Sequence, residues 1–285
     1  MKENNNLFRI NNLRCSYQDG KEVLRIENIS IPRERLVILL GKSGCGKSTF
    51  LETLGLMNNT IVNGDVIYYP GNGTEGISYY TLWNKKKLND VAQIRREYFS
   101  FIFQNTNLMP SFTTYENAYL TELIRGIPIQ EASRKIANLL AELGLGEISH
   151  SRKTSEMSGG QKQRIAFIRA VASTFNVLFG DEPTGNLDVF NSRELLLFLQ
   201  GNIRKNRRSA IIVSHNIDLS LQFGDVIMLL SKADRNNEYF ELLPEHIFQR
   251  EGREDIWKNH GKCNFRTDEL SLKIQTILEN KIEQI

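Results

Sequence analysis

One stretch of the sequence constrains the fold more than any other. Residues 41–49 read Gly-Lys-Ser-Gly-Cys-Gly-Lys-Ser-Thr, a complete G-x-x-x-x-G-K-[ST] pattern. They follow a short and almost wholly apolar run, Arg35 to Leu40, which is typical of a strand buried on both faces of a sheet. A segment of helical periodicity begins near Lys47. Glycine lets successive backbone N–H groups turn towards an anion, and a helix N-terminus favours negative charge. The pattern therefore predicts a strand–loop–helix phosphate site.

Individual residues of this loop have expected parts in nucleotide binding. Lys47 is expected to reach the β- and γ-phosphates, and the Ser48 hydroxyl is placed to bind Mg²⁺. Cys45 is interpreted as a small residue of the loop, although thiols in such loops can react. The predicted binding set is the whole loop: Gly41, Lys42, Ser43, Gly44, Cys45, Gly46, Lys47, Ser48 and Thr49. The loop alone leaves kinases, GTPases and many ATPases open.

A second motif narrows the choice. The apolar run Val177 to Phe179 leads to adjacent carboxylates, Asp181 and Glu182, followed by Pro183. An aspartate at a strand end can hold Mg²⁺ in P-loop enzymes. Glu182, one residue further on, could accept a proton from an attacking water. Such a pair alone is commonplace on protein surfaces, but together with the upstream loop it indicates a nucleotide site.

Short apolar runs alternate with helical segments along the chain. Strands are predicted at Leu7–Leu13, Glu22–Ile31, Phe99–Phe103, Val177–Phe179, Ala210–Val213 and Val226–Leu230. A helical stretch is predicted from about Tyr115 to Leu143, with apolar residues at helical spacing. Buried strands alternating with helices predict an α/β fold with a mostly parallel sheet.

Composition excludes several classes of protein. The net charge of +3 is too weak to indicate a nucleic-acid partner. Cys15, Cys45 and Cys263 are far apart and match no zinc or disulfide spacing, which favours free thiols in a reducing compartment. No apolar run is long enough to cross a bilayer, and the polar start lacks the apolar core of a signal peptide. We therefore expect a cytoplasmic protein.

The remaining motifs resemble those of one family. Met157-Ser-Gly-Gly-Gln161, followed by Lys-Gln-Arg164, resembles the signature motif of ABC ATPases, although leucine is commoner than Met157 at its first position. Gly185-Asn-Leu-Asp188 resembles the D-loop of that family. Gln104 resembles its Q-loop glutamine, His215 its switch histidine, and Tyr17 the aromatic residue that stacks on adenine. The resemblance extends from about Phe8 to Leu242.

The resemblance implies a fold and a set of roles. The implied fold is a P-loop NTPase core of ABC-ATPase type, with an N-terminal antiparallel β-subdomain and an α-helical signature subdomain. The implied catalytic residues are Glu182, His215, Gln104 and Lys47. The implied nucleotide-binding residues outside the P-loop are Tyr17, Ser158, Gly159, Gly160, Gln161 and Asp188. The implied metal ligands are Ser48, Gln104 and Asp181, and the cofactors are ATP and Mg²⁺.

Ordinary structural roles stay open for some of these residues. Tyr17 is alternatively strand packing, His215 a hydrogen-bonded histidine at a strand end, and Gln104 a plain loop residue. In ABC ATPases, Ser158 and the following glycines would cap the γ-phosphate held by the P-loop of another chain. With one P-loop and one signature, this chain is therefore expected to form a head-to-tail homodimer.

The end of the chain is expected to be separate. We predict an ATPase domain at residues 1–243, with a helical subdomain at about 112–165, and a C-terminal extension at 244–285. The extension reads as polar and irregular up to about Arg266, after which Thr267 could cap an amphipathic helix. Its apolar side carries Leu270, Ile274, Ile277, Leu278, Ile282 and Ile285. We interpret it as a helix packed on the core, with a partner contact as the alternative.

Within the ABC family, the sequence resembles the lipoprotein-release, macrolide-export and cell-division (LolD/MacB/FtsE) branch. The resemblance rests on Phe101-Ile-Phe-Gln104, Asn107-Leu-Met-Pro110, Glu116-Asn117 and Asp181 to Asp188. The stretch from Asp65 to Arg95 is somewhat longer than that branch leads us to expect.

This branch implies a membrane permease with few transmembrane helices and a large extracytoplasmic domain, which would hold the ATPase on the inner face of the cell membrane. Leu108, Met109 and Phe112, in the segment Gln104–Thr114, are expected to contact that permease. The alternatives are a cell-division complex that regulates a cell-wall hydrolase and, less favoured, a soluble non-transport ABC ATPase.

Overall fold

The computed structural model describes residues 5–17, 20–148, 150–232, 238–252, 255–259 and 263–279. The strands are β1 (Asn6–Ser16), β2 (Glu22–Ile26), β3 (Ile29–Pro32), β4 (Leu36–Gly41), β5 (Ile61–Tyr68), β6 (Ile77–Ser78), β7 (Phe99–Ile102), β8 (Val177–Asp181), β9 (Ser209–Val213), β10 (Val226–Leu230), β11 (Phe240–Leu242), β12 (Ile247–Arg250), β13 (Ile256–Asn259) and β14 (Asn264–Arg266). The helices are α1 (Lys47–Leu54), α2 (Tyr79–Asn84), α3 (Leu88–Tyr98), α4 (Thr114–Ile124), α5 (Ile129–Glu142), α6 (Gly159–Ala172), α7 (Val189–Asn206), α8 (Ile217–Phe223) and α9 (Thr267–Glu279). Within these ranges, no helix is both long and apolar enough to span a membrane.

The central sheet has the strand order β14-β13-β12-β10-β4-β9-β8-β7. Strands β10, β4, β9, β8 and β7 run parallel to one another. Every residue of β4, β9 and β10 is buried, because one face packs into a core with α6, α7 and α8 and the other into a core with α1 and the N-terminal strands. The predicted α/β fold with a mostly parallel sheet is confirmed.

The second sheet contains the N-terminal strands in the order β11-β2-β1-β5-β6, with β3 also paired to β1. The single strand expected over Glu22–Ile31 is wrong, since β2 and β3 are separate strands. They pair antiparallel with opposite halves of β1, and β1 changes register between those halves. Exposed polar residues, Glu27 and Asn28, separate the two strands.

The helical segment is also divided. Its predicted span from Tyr115 to Leu143 contains α4 and α5, separated by Gly126 in the left-handed region (φ 85°) and by Pro128. Thr113 and Glu116 form a capping box at the start of α4. Helix α6 packs against both helices.

The C-terminal segment differs from the expected irregular stretch. Strands β12, β13 and β14 form antiparallel pairs that extend the central sheet from β10. Trp257 of β13 is fully buried, as are Leu270 and Ile274 of α9. The interpretation of α9 as a helix packed on the core is therefore confirmed. Ile282 and Ile285 lie outside the described residues, and the boundary at residue 244 stays a prediction.

Thr267 is not the cap of α9. It is the first helical residue, and its hydroxyl oxygen accepts a hydrogen bond from Trp257 Nε1 at 3.2 Å. Its hydroxyl also donates to Asp255. The backbone N–H of Arg266 instead donates to the Glu269 carboxylate at 2.9 Å, as in a capping box. The Thr267 hydroxyl is thus engaged by Trp257 and Asp255 rather than by the N–H groups of the first turn.

Candidate nucleotide site

The parallel strands bring distant motifs to one edge of the central sheet. Leu39 in β4 pairs with Val213 in β9, and Val213 pairs with Asp181 in β8. Since neighbouring strands lie about 4.8 Å apart, the end of β8 lies about 10 Å from β4. The P-loop, Glu182 and His215 all follow directly from these strand ends.

The P-loop holds the Lys47 side chain through backbone carbonyl oxygens. Lys47 is only 5% exposed, and Nζ donates to the carbonyl oxygens of Gly41 at 2.9 Å and Lys42 at 2.8 Å. Gly44 and Gly46 have positive φ values of 74° and 85°. Gly46 caps α1 without a side-chain acceptor, so no cap side chain competes for the N–H groups of the first turn. The loop therefore presents backbone donors and a lysine at a helix N-terminus, as anion binding requires.

Cys45 is packed inside this loop. Its side chain is buried, and a Cβ added to Gly41 would lie 2.4 Å from Cys45 Sγ. Burial raises the pKa of the Cys45 thiol, although nearby Lys47 opposes this effect. A raised pKa disfavours the reactive thiolate. The structure therefore supports a packing role for Cys45.

Glu182 lies at the meeting point of three strand ends. His215 follows β9, and its Nε2 lies 2.6 Å from Glu182 Oε1. Gln104 Nε2, which follows β7, donates to Glu182 Oε2 at 3.4 Å. Glu182 itself has φ 49°, in the left-handed region that non-glycine residues rarely occupy. Residues separated by long stretches of sequence thus form one polar cluster.

Tyr17 lies against the helix that follows the P-loop. Its hydroxyl is 2.8 Å from Thr49 Oγ1, and 48% of the residue is exposed. Ser48 is exposed at the start of the same helix. Tyr17 therefore offers an aromatic surface next to the loop, rather than acting only as buried strand packing.

The signature residues form the exposed start of α6. Ser158 caps this helix, and its hydroxyl oxygen accepts a hydrogen bond from the Gln161 N–H at 3.3 Å. The Gln161 side chain accepts one from the Ser158 N–H, which completes a capping box. Among the described residues, no hydrogen bond joins these residues to the P-loop of the same chain.

The D-loop lies beside the signature residues. A Cβ added to Gly160 would lie 3.3 Å from Leu187 Cδ2. Asp188 caps α7, and hydrogen bonds from the backbone and side chain of Asn191 lower the pKa of its carboxyl group. The structure thus groups the predicted residues into a P-loop cluster, a Glu182 cluster and a signature–D-loop cluster.

Two residues of α6 were not singled out by their sequence pattern. Gln163 is fully buried and donates to the Pro183 carbonyl oxygen at 2.9 Å. Arg169 donates to the carbonyl oxygens of Thr106 and Asn107, at 2.8 and 2.9 Å, and so holds the loop after Gln104. For Arg169 the available signal was a charged side chain within the apolar run from Ile165 to Ala172, whereas Gln163 lies among polar residues and gave no such signal.

A family model described as ABC transporter matches residues 24–185. The chain belongs to the ABC transporter family. It is therefore an ATP-binding and ATP-hydrolysing transporter subunit, and the predicted ABC-ATPase fold is confirmed.

Sequence relatives agree with the predicted branch. The chain is 32% identical to the lipoprotein-releasing system ATP-binding protein LolD of Paramagnetospirillum magneticum, over 79% of this chain and 96% of that protein. It is 35% identical to LolD of Syntrophus aciditrophicus, over 75% of this chain and 92% of that protein. The macrolide export ATP-binding/permease protein MacB of Hyphomonas neptunium is 32% identical over 82% of this chain, which covers 36% of that protein. The likeness to the LolD and MacB branch is confirmed.

Solved structures resemble the whole cassette. The dimeric structure of MJ0796, a bacterial ABC transporter cassette, has a TM-score of 0.70 at 25% identity and covers 86% of this chain and 99% of that chain. A post-hydrolysis structure of the same cassette, bound to ADP and phosphate, matches equally well.

Proposed function

We propose that two copies of this chain pair head to tail, bind two ATP molecules between them, and use hydrolysis to drive a separate membrane permease. Each ATP lies between the P-loop of one copy and Ser158, Gly159 and Gly160 of the other. The permease is of the type with few transmembrane helices and a large extracytoplasmic domain. It holds the ATPase on the inner face of the cell membrane.

One observation carries the pairing. The start of α6 is exposed, and among the described residues its donors make no hydrogen bond to the P-loop of their own chain. A helix N-terminus with exposed glycines suits an anion such as a γ-phosphate. The dimeric cassette that resembles this chain supports a second copy as the source of that phosphate.

The Glu182 cluster suits attack by water on the γ-phosphate. Glu182 accepts or orients the proton of the attacking water, while His215 and Gln104 hold its carboxylate from both sides. Lys47 of one copy and Ser158 of the other meet the charge that develops on the phosphate. Tyr17 supplies a stacking surface for the adenine, and Asp188 fixes the start of α7 beside the signature.

Oxygen donors near the P-loop suit Mg²⁺. Ser48 supplies a hydroxyl, Asp181 a carboxylate, and Gln104 an amide oxygen, because its Nε2 is directed at Glu182. Such hard oxygen donors are those that Mg²⁺ prefers. When bound, the ion would neutralise charge on the phosphate oxygens.

The permease contact is proposed at the loop after Gln104. Met109 is 44% exposed, whereas its backbone is fixed by hydrogen bonds with Asn117 and Thr154. Phe112 is only half-buried, and Leu108 packs against the core. An exposed methionine on a rigid loop suits a contact with an apolar partner segment. The match to nearly the full length of the LolD proteins supports a permease on a separate chain.

The catalytic part of this proposal is tested by replacing Glu182. Glu182→Gln keeps shape and hydrogen bonding but removes the basicity, so we expect kcat to fall by about 10²- to 10⁴-fold. ATP binding should persist, and size-exclusion chromatography in Mg-ATP should show a stable dimer. Adding Ser158→Arg should abolish that dimer.

Glu194→Gln provides the matched control. Glu194 is an exposed glutamate of α7, and its replacement should leave hydrolysis unchanged. A near-normal rate for Glu182→Gln would exclude Glu182 as the base. A trapped dimer that survives Ser158→Arg would exclude the head-to-tail arrangement.

A further inference from the structure

Gln163 is a buried polar side chain for which the ATPase mechanism above has no use. It lies in the second turn of α6 and is 0% exposed. Burying an amide in an apolar environment is costly unless its hydrogen bonds are satisfied. Its hydrogen bonds therefore identify what this side chain holds in place.

All of those hydrogen bonds go to the segment that follows β8. Nε2 donates to the Pro183 carbonyl oxygen at 2.9 Å and, more weakly, to the Glu182 carbonyl oxygen at 3.4 Å. Oε1 accepts from Asn186 Nδ2 at 3.2 Å. The two carbonyl acceptors require the amide nitrogen on their side, which fixes the orientation of the amide. Gln163 thus links α6 to Glu182, Pro183 and Asn186.

The backbone of Glu182 needs such support. Its left-handed conformation (φ 49°) costs a non-glycine residue roughly 1–2 kcal/mol and persists only where the surroundings hold it. A hydrogen bond from the Gly185 N–H to the Glu182 carbonyl oxygen, at 3.0 Å, gives part of that support. Gln163 adds support from a different element. Because φ of Glu182 sets where its side chain points, Gln163 also affects the contacts with Gln104 and His215.

We propose that Gln163 is a positioning residue for ATP hydrolysis. It holds the Glu182–Pro183 backbone so that the Glu182 carboxylate points towards the water that attacks the γ-phosphate. It also ties this carboxylate to α6, the helix whose first residues form the signature. Movement of the signature helix is thereby transmitted to Glu182 within the same chain. This inference rests on the proposed role of Glu182 as the base.

The first test replaces the amide with a side chain of similar length. Gln163→Met removes both donors and the acceptor. A misplaced catalytic group costs up to about 10²-fold, so we expect kcat to fall roughly 10- to 100-fold. The KM for ATP should change little, because Gln163 makes no contact with the P-loop or Tyr17. Gln200→Met is the matched control: Gln200 Nε2 donates to the Phe223 carbonyl oxygen at 2.8 Å, away from Glu182, and its loss should leave kcat unchanged.

A double variant distinguishes positioning from a merely structural role. In single-turnover hydrolysis of labelled ATP, Gln163→Met should add little to the loss caused by Glu182→Gln, since both act through the same carboxylate. A structural role unrelated to Glu182 would make the two losses multiply. Should Gln163→Met fail to fold, Asn186→Ala gives the same test, because Asn186 is exposed and orients the Gln163 amide. We expect it to lower kcat several-fold, again without additivity.

The outcomes separate this inference from the function on which it rests. If Glu182→Gln is inactive but Gln163→Met keeps the wild-type kcat, the positioning role alone is overturned. If Gln163→Met does not fold, a wild-type kcat in Asn186→Ala has the same meaning. Multiplicative losses in the double variant would also overturn it. Near-normal hydrolysis by Glu182→Gln would overturn the proposed base, and this inference with it.

Discussion

Single residues at this site are held from more than one side. The Glu182 carboxylate meets His215 and Gln104, while its backbone is held by Gly185 and Gln163. Lys47 Nζ is held by two carbonyl oxygens of its own loop. Such constraint suits groups that must act without reorganising. Tyr17 differs, since its side chain is held through the hydroxyl and about half of the residue stays exposed.

Substitutions at Tyr17 separate stacking from hydrogen bonding. Tyr17→Ala removes the ring, and we expect the KM for ATP to rise several-fold with kcat little changed, because stacking is uniform binding. Tyr17→Phe keeps the ring but loses the hydrogen bond to Thr49, so its KM should stay near wild type. Steady-state kinetics check both variants. If Tyr17→Phe raises the KM for ATP as much as Tyr17→Ala does, the effect belongs to the hydroxyl rather than to the ring.

The sequence predicts residues with fixed motif spacing better than residues that act through packing. The P-loop, Asp181-Glu182 and His215 follow strands that are apolar throughout, so their common edge could be expected. Gln163 lies in the signature segment, yet its proposed importance depends on the left-handed conformation of Glu182, which the sequence pattern alone does not reveal. Tyr17 could be placed upstream of the loop, but not its contact with Thr49.

At the scale of elements, length and apolar content decide what the sequence reveals. The long buried strands β4, β9 and β10 were predicted almost to the residue. Strands β12, β13 and β14 have only three or four residues each and mix polar with apolar side chains, so they contain no largely apolar run like that of the equally short β7. They form because the edge of β10 offers free backbone groups and Trp257 buries its ring there.

Substitution of Trp257 tests whether strands β12, β13 and β14 unfold together with the core. Trp257→Ala should lower the free energy of unfolding by about 3–5 kcal/mol, as expected for a fully buried tryptophan. Leu272 of α9 is 66% exposed, so Leu272→Ala should change the free energy of unfolding by less than about 0.5 kcal/mol. Denaturant unfolding followed by circular dichroism and by ATPase activity checks both. If Trp257→Ala lowers the midpoint followed by circular dichroism but leaves the midpoint followed by ATPase activity unchanged, the extension unfolds independently of the ATPase core.

The loop after Gln104 is tested by a charge on its exposed apolar side chain. Met109→Glu should leave basal ATPase activity of the isolated chain intact, because its side chain is exposed, and should abolish co-purification with the permease. Val62→Glu, at an exposed apolar residue of β5, is the control and should keep the complex. Pull-down from membranes with the partner identified by mass checks both. A complex that survives Met109→Glu would place the contact elsewhere.

At the scale of the whole molecule, no hydrogen bond among the described residues joins the P-loop to the signature. Lys47 is enclosed by its own loop, whereas Ser158 caps an exposed helix that packs beside its own D-loop. The order of motifs predicts both groups of residues, and the proposed function brings them together only between two copies of the chain. The proposed mechanism requires that two copies of the chain share each ATP.

Mixing two inactive variants tests this sharing most directly. Lys47→Ala destroys the P-loop of its chain, and Ser158→Arg blocks the signature of its chain, so each should be almost inactive alone. In a mixed head-to-tail dimer, the intact P-loop of the Ser158→Arg chain meets the intact signature of the Lys47→Ala chain. Random pairing would give one working site in half of the dimers and about a quarter of wild-type ATPase activity. Because Ser158→Arg disfavours pairing of that chain with itself, the equimolar mixture should recover at least this fraction. A mixture as inactive as its components would contradict the shared site, as would a Ser158→Arg chain that hydrolyses ATP on its own.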